Sequence, residues 1–301
     1  MSIHDDLGNR MKQFYEEVPN IRLMRRCPVI VRCDLRAGHL FTRGFKRPFD
    51  EIFIRSIQDT AKYLAENVMG CRLTYQQSDE ISLLLIDYER LNSEAFFDYR
   101  VQKLCSVIAS AATLAFNKAF TRRILEIDPT FAFWDDEPDN TYKLAESYGF
   151  NPRTKEGMDE LEKYVKIYNE AIDKGASFDC RVFNIPESEC VNYFYWRQLD
   201  ATRNSIQMVG QANFSHTQLH GKSCNDIQDM LHEKCGINWN DFPTYQKRGS
   251  CCIKEKYDFL LDTYKYEIIQ RSRWIIDNEI PIFRGDGREY IEKLVNVGEE
   301  P

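Results

Sequence analysis

Asp34 closes a β-branched run, Pro28-Val-Ile-Val-Arg-Cys-Asp34, and Asp79 and Glu80 lie in the polar stretch Gln77-Ser-Asp-Glu80. Carboxylates converging from a strand end and a tight turn offer hard oxygens. They suit Mg²⁺, which keeps part of its shell for water and substrate phosphates. Two such ions activate an attacking oxygen and steady the leaving one. Asp after a strand and Ser-Asp in a turn also occur for backbone reasons alone, so the fold must bring them together for the chemistry to exist. Arg36, His39, Lys46 and Arg47 follow Asp34 closely. A basic loop beside paired carboxylates suits a triphosphate, and a solvated surface loop has the same composition. Arg100 and Lys103 lie about one helical turn apart, placed to face phosphates or water. Lys247-Arg248-Gly249 is a small basic patch suited to nucleic-acid phosphates. Tyr193-Phe-Tyr-Trp-Arg197 reads as helical core, with Trp196 and Arg197 as an alternative pair for stacking a base.

The elements that must position these residues follow from local pattern. Residues 28–34 read as a buried strand. Ile52, Phe53, Ile57, Ala61, Leu64 and Val68 repeat at helical spacing over 49–68. Residues 71–76 and 81–87 are strand-like runs joined at Gln77–Glu80, which predicts a hairpin. An Ala-rich helix spans 94–120, a further strand 180–186, and a helix Glu187–Ala212 after Pro186. Strand, helix, strand, strand, helix, strand is the split βαβ, ferredoxin-like order. The fold class expected is therefore α+β, a ferredoxin-like βαββαβ sheet with helices on one face and a mostly helical C-terminal part. In such a sheet the first strand and the hairpin lie side by side, so Asp34 and Asp79 project at one edge. The domain reading is 1–134 with 177–215 as the palm-like unit, 135–176 as a peripheral insertion, and 216–301 as a helical region.

Hydrophobic residues make up 43% of the 301, enough to bury a sizeable core. Forty Lys and Arg against 47 Asp and Glu give a net charge of −7, which excludes a protein coated in basic residues but not a local basic groove. No run of 18 apolar residues occurs and the start lacks an apolar signal segment, so a cytoplasmic protein with no membrane span is expected. The ten cysteines then read as reduced thiols. His220, Cys224, His232 and Cys235 have a loosely zinc-like spacing, but Ser223–Lys234 reads as a helix placed by packing.

Several segments, in order along the chain, resemble the tRNA(His) guanylyltransferase-like proteins, the 3′–5′ polymerases, in their bacterial and archaeal-type branch. They are Leu7-Gly-Asn-Arg-Met-Lys12, Phe45-Lys-Arg-Pro-Phe-Asp-Glu51, Tyr75-Gln-Gln-Ser-Asp-Glu-Ile-Ser82 and Phe178-Asp-Cys-Arg-Val-Phe183. Trp196-Arg-Gln-Leu-Asp-Ala-Thr-Arg-Asn-Ser205, Phe214-Ser-His-Thr-Gln-Leu-His-Gly-Lys-Ser223, Gly236-Ile-Asn-Trp-Asn-Asp241 and Lys247-Arg-Gly249 complete the set. The resemblance implies a palm-type catalytic domain holding two Mg²⁺ through Asp34, Asp79 and the backbone carbonyl of Leu35, with Glu80 in support or as base. It implies His39, Arg47, Asp50 and Ser78 near an activating ATP or GTP, and Arg32, Arg100, Lys103 and Asn204 on triphosphate, beside the Arg36 of the basic loop. Arg197, Arg203, Lys222, Lys247 and Arg248 are the RNA-binding candidates. The implied reaction activates a 5′-monophosphate RNA end with a nucleoside triphosphate, after which the 3′-hydroxyl of an incoming nucleotide attacks. The implied assembly is a homotetramer with tRNA across subunits.

The eukaryotic branch reads His-Ile-Asn-Asn where this chain has Thr202-Arg-Asn-Ser205, which favours template-dependent repair of 5′-truncated tRNA over a dedicated G−1 enzyme. The family reads Asp-Gly-Arg/Lys-x-Phe-His where this chain has Asp34-Leu-Arg-Ala-Gly-His39. Leu35 in place of Gly predicts a side chain crowding the site, and Gly38 in place of Phe predicts a looser loop. Two other readings fit the same sheet: a palm-type nucleotide cyclase or synthase needing no RNA, and an RNA-binding relative whose altered loop has lost catalysis.

Overall fold

A computed structural model describes residues 6–132, 138–262 and 267–297. Its centre is an antiparallel sheet of β1 (Val29–Leu35), β2 (Cys71–Gln77), β3 (Glu80–Leu85) and β4 (Phe178–Asn184) in the order β4-β1-β3-β2. Between β1 and β2 runs α1 (Glu51–Asn67), and between β3 and β4 runs α2 (Val101–Ile127). This is the expected split βαβ order. The period-2 pattern of β1 explains why it sits centrally. Val29, Val31, Cys33 and Leu35 enter the larger core, while Ile30 enters a second core on the opposite face.

Both helices of the βαβ units lie on the first face. α1 contributes Ile52, Phe53, Ile57, Ala61 and Leu64, and α2 contributes Leu104, Ile108, Ala112, Phe116 and Phe120. Among the described residues, α2 is the one helix long and apolar enough to cross a bilayer. Here that apolar stripe faces the sheet. α2 begins at Val101, later than expected, because Phe97, Asp98 and Tyr99 take positive φ and break helical geometry.

Further features differ from the sequence reading. The 135–176 segment is not peripheral: its helix α3 (Lys155–Lys174) sends Leu161, Val165, Tyr168 and Ala171 into the main core. The start of that segment, 135–137, lies outside the described residues. The opposite face of the sheet is also covered, by α4 (Glu187–Asn213), whose Cys190, Val191, Tyr193 and Phe194 pack on Ile30, Leu73, Tyr75 and Leu84.

The last hundred residues are helical only in part. α5 (Cys224–Cys235) and α6 (Glu289–Val295) flank a long hairpin of β5 (Ser250–Asp262) and β6 (Glu267–Asp277). β5 pairs with β2, extending the sheet to six strands, β4-β1-β3-β2-β5-β6. The helical reading missed it because the hairpin carries charge on a strand pattern. Glu255 pairs with Arg273 across the strands, and Lys254 and Lys256 alternate with Ile253 and Tyr257.

Candidate active site

Register fixes the first carboxylate. Asp34 lies opposite Glu80 on β3 and opposite Asp179 on β4, so three acids from adjacent strands share one level of the sheet. The turn fixes the second. Gln77 and Glu80 pair, leaving Ser78 and Asp79 as a two-residue loop with Ser78 at φ 50°. The Leu35 amide donates to the Asp79 carbonyl at 3.2 Å, which ties the end of β1 to this turn. Asp34 and Asp79 thus do meet at one edge.

Burial pushes the Asp34 carboxyl up to about 6, helped by the charges of Asp79, Glu80 and Asp179 and opposed by Arg181. Burial also raises Asp79, against hydrogen bonds from its own amide and Ser78 and the charge of His39. Negative charge crowded in this way fits a divalent cation, whose charge reverses the penalty. Among the described residues no group of three His, Cys, Asp or Glu side chains is gathered to hold a metal, so the fit rests on two carboxylates with phosphate completing the shell. The same finding removes the zinc-like set, because Cys224 and Cys235 stand at the two ends of α5.

Glu80 is differently placed. It takes a bidentate ion pair from Arg197, 2.8 Å to Oε1 and 2.7 Å to Oε2, with both side chains more than nine-tenths buried. Arg197 also donates to Asp200 at 3.0 Å, which in turn pairs with Arg203. The expectation that Arg197 binds RNA is therefore corrected. Its guanidinium is committed to two carboxylates inside the protein, and Glu80 is clamped rather than free to act as a base.

Leu35 is 3% exposed and sits in the larger core, so its side chain does not crowd the site. Gly38 does not loosen the loop. A Cβ on it would lie 2.0 Å from Asp79 Oδ2, so the loop packs directly on that carboxylate. The aromatic support under the loop comes from Phe41 and Phe45, stacked among Phe53, Phe116 and Phe120.

Beside Asp79 opens a cavity of about 420 Å³ between the loop after β1, the hairpin turn, α4 and the start of β5. His39, Arg47, Ser78 and Asn204 line it. Asp50 lines it too, but its carboxylate caps α1. It accepts from Phe53 N (2.9 Å), Lys46 N (3.0 Å) and Tyr168 OH (2.7 Å), which corrects its assignment as a nucleotide ligand. Lys46 lines the cavity while donating to the Gly149 carbonyl at 2.6 Å. Sequence reasoning missed Arg43, Met208, Gln211, Tyr245 and Gln246, which also line it. Tyr245 and Gln246 are held on Glu51 at 2.9 and 2.6 Å, and their one sequence signal is adjacency to Lys247-Arg248-Gly249.

Other candidates lie elsewhere. Arg32 sits on the sheet under α4, 5.9 Å from the Trp196 ring, and Arg36 is exposed beyond the end of β1. Arg100 and Lys103 are not at the site. Arg100 bridges Arg22, and its neighbour Tyr99 accepts from Leu23 at the Val29 end of β1. Five residue steps of strand put that end about 17 Å from Asp34, which corrects their assignment to this triphosphate. Arg203 and Lys222 are exposed, Lys247 donates to the Asn240 carbonyl, and Arg248 is half-buried.

With this geometry in place, the class is an enzyme with a palm-type sheet and a nucleotide-sized cavity at its carboxylate edge. The profile of the tRNA(His) guanylyltransferase family matches residues 8–186, more than half of the chain. The chain belongs to that family, whose members are nucleotidyltransferases. A bacterial tRNA(His) guanylyltransferase-like protein solved in complex with ATP is 38% identical at a TM-score of 0.72, covering 97% of this chain and 100% of that one. The same kind of bacterial protein in complex with GTP is 37% identical at a TM-score of 0.68. The tRNA(His) guanylyltransferase of Schizosaccharomyces pombe is 22% identical over 274 residues, 85% of each chain.

Proposed function

We propose that this chain is a template-dependent 3′–5′ nucleotidyltransferase that restores the 5′ end of truncated tRNA after activating the 5′-monophosphate with ATP or GTP. The observation that carries the reading is the cavity of about 420 Å³ opening on Asp79, with basic and polar lining, next to the unneutralised Asp34. In this reading His39, Arg47, Ser78 and Asn204 receive the activating nucleotide. Asp34, Asp79 and the Leu35 carbonyl would hold two Mg²⁺. When bound, these ions neutralise phosphate charge and favour ionisation of an attacking hydroxyl. The Arg197 clamp keeps Glu80 fixed beside Asp34, and the cores on both faces of the sheet hold the carboxylate edge rigid.

Relatives solved with ATP and with GTP support either nucleotide as activator. A homotetramer forms part of the proposal. Leu7, Phe14, Tyr15, Val18, Ile21 and Met24 near the N-terminus are all more than half exposed, a surface suited to self-association. Light scattering tests it, and a monomer at assay concentration removes it.

The test of function is a 5′-end extension assay. The protein receives a 5′-monophosphorylated tRNA lacking its first nucleotide, with Mg²⁺, ATP and the four nucleoside triphosphates, and Asp79→Ala is the control. The expected product is one nucleotide longer, matched to the opposing strand and absent with the control. No product with tRNA still bound rejects this substrate. Turnover of nucleotides without any RNA supports the cyclase or synthase reading instead.

A further inference from the structure

The ten cysteines are free thiols in this fold, and two of them meet. Cys33 on β1 lies directly opposite Cys180 on β4, with the sulfurs 2.6 Å apart. Among the described residues this is the one contact between two cysteine sulfurs. Register explains it. The Arg36 amide donates to the Ser177 carbonyl and the Ile185 amide to the Pro28 carbonyl, so both of those opposed pairs are hydrogen-bonded. Alternation along antiparallel strands then makes Cys33 and Cys180 a pair without backbone hydrogen bonds. Such pairs have Cα atoms about 4.5 Å apart and their side chains close together. That separation lies within the range of about 4.4–6.8 Å that a disulfide spans, and the bond itself needs the sulfurs at about 2.05 Å.

The two thiols differ in access. Cys33 is fully buried, whereas Cys180 is partly exposed on the strand at the edge of the sheet. Contact with Cys180 and burial hold the Cys33 thiol well above the ordinary thiol range. A small oxidant therefore meets Cys180 first, with Cys33 beside it as the resolving thiol. Cys105 on α2 is the third member of the group: its charge acts on Cys33, and that of Cys180 acts on it. A bond between Cys33 and Cys180 falls at the site, because Cys33 immediately precedes Asp34 and Cys180 follows Asp179. The two residues are 147 positions apart, so the ring it closes takes in α1, the turn with Asp79 and Glu80, α2 and α3.

We propose that Cys33 and Cys180 are a redox modification site, at which hydrogen peroxide forms a reversible disulfide that ties β4 to β1 at the carboxylate edge. The Cys180 thiolate attacks one oxygen of the peroxide, which breaks the O–O bond and leaves a sulfenic acid and hydroxide. The Cys33 thiolate then attacks the Cys180 sulfur and expels the second hydroxide. The hydroxides take up the two thiol protons, so two thiols lose two electrons and one peroxide becomes two waters. Because the sulfurs already meet, the bond keeps the strand register and leaves Asp34 in place. It constrains the unfolded chain and stabilises the fold. The inference stands apart from the proposed function.

The test uses the full chain, fully reduced and then exposed to hydrogen peroxide while folded. Remaining thiols are blocked with iodoacetamide, and the digest is read by mass spectrometry. The expected product is a bridged peptide joining Cys33 to Cys180, two hydrogens lighter than its reduced halves. The oxidised protein is expected to melt about 3–8 °C higher, and dithiothreitol returns both readouts to their starting values. Cys180→Ser is expected to give no bridge and no rise in Tm, while Cys105→Ser keeps both. The peptide map of the wild-type chain carries the test if Cys180→Ser does not fold. A sulfinic acid at Cys180 without a bridge, a bridge from Cys180 to Cys105, or a Cys180 left unoxidised until the protein unfolds overturns the inference. A Cys33–Cys180 bridge that leaves Tm unchanged or lowers it overturns it as well. None of these outcomes bears on the extension assay, so the proposed function stands or falls separately.

Discussion

Replacing Arg197 by Met keeps the length of the side chain and removes its charge. It leaves Glu80, 7% exposed, with a single hydroxyl neighbour, Ser82 at 3.3 Å. Wild-type Glu80 instead has two short bonds from a buried guanidinium. Removing one partner of a buried ion pair costs about 3–5 kcal/mol, because the other charge stays desolvated. For a chain of this size that lowers Tm by about 5–8 °C. Adding Glu80→Gln to Arg197→Met removes the stranded charge, so the double variant recovers part of the loss. The expected coupling lies well above the few tenths of a kcal/mol found for independent sites. Urea unfolding of the four proteins at pH 7.5 measures it. The RNA readout separates this from the phosphate-contact reading. A lost phosphate contact reduces the salt slope of RNA affinity by about 0.9, whereas a buried clamp leaves it unchanged. An Arg197→Met protein as stable as wild type, with a shallower salt slope, refutes the clamp.

Asp34 gives a pH prediction. Its folded-state carboxyl is raised to about 6 by burial and neighbouring acids. Its ionisation therefore opposes folding, with a cost absent below about pH 4, growing to pH 6 and constant above. Asp34→Asn is expected to raise Tm at pH 8 but not at pH 4 and to abolish transfer; an unchanged Tm at pH 8 refutes the strain. Leu35→Gly is expected to lose about 3–5 kcal/mol, as for deletion of a fully buried Leu, and to gain no activity; a gain in the extension assay refutes the core placement of Leu35. Lys222→Gln is expected to weaken RNA binding and reduce its salt slope by about 0.9; identical slopes by filter binding exclude Lys222 from the RNA surface.

Legibility from sequence followed the range of the interaction. Asp50 is an N-cap whose partner, the Phe53 amide, lies three residues on, and a local reading suffices for such a cap. Tyr168 completes the Asp50 cap from 118 residues away, which no local pattern records. α3 reads as charged and peripheral because its exposed face carries the charge, while its buried stripe finds α2 only after folding. The β5–β6 hairpin escapes for the opposite reason. Its charges pair across strands, a relation invisible until the register is known.

Sequence alone determined the split βαβ order, the carboxylates Asp34 and Asp79, and the basic loop after β1, since strand period, turn chemistry and residue spacing are local properties. Tertiary structure alone decided which charges are available. Glu80 and Arg197, 117 residues apart, cancel each other in the interior. Arg100 is carried to the far end of the sheet, and Arg32 and Arg181 are set opposite each other on adjacent strands. Charge and desolvation depend on neighbours in space, and a chain acquires those neighbours only by folding.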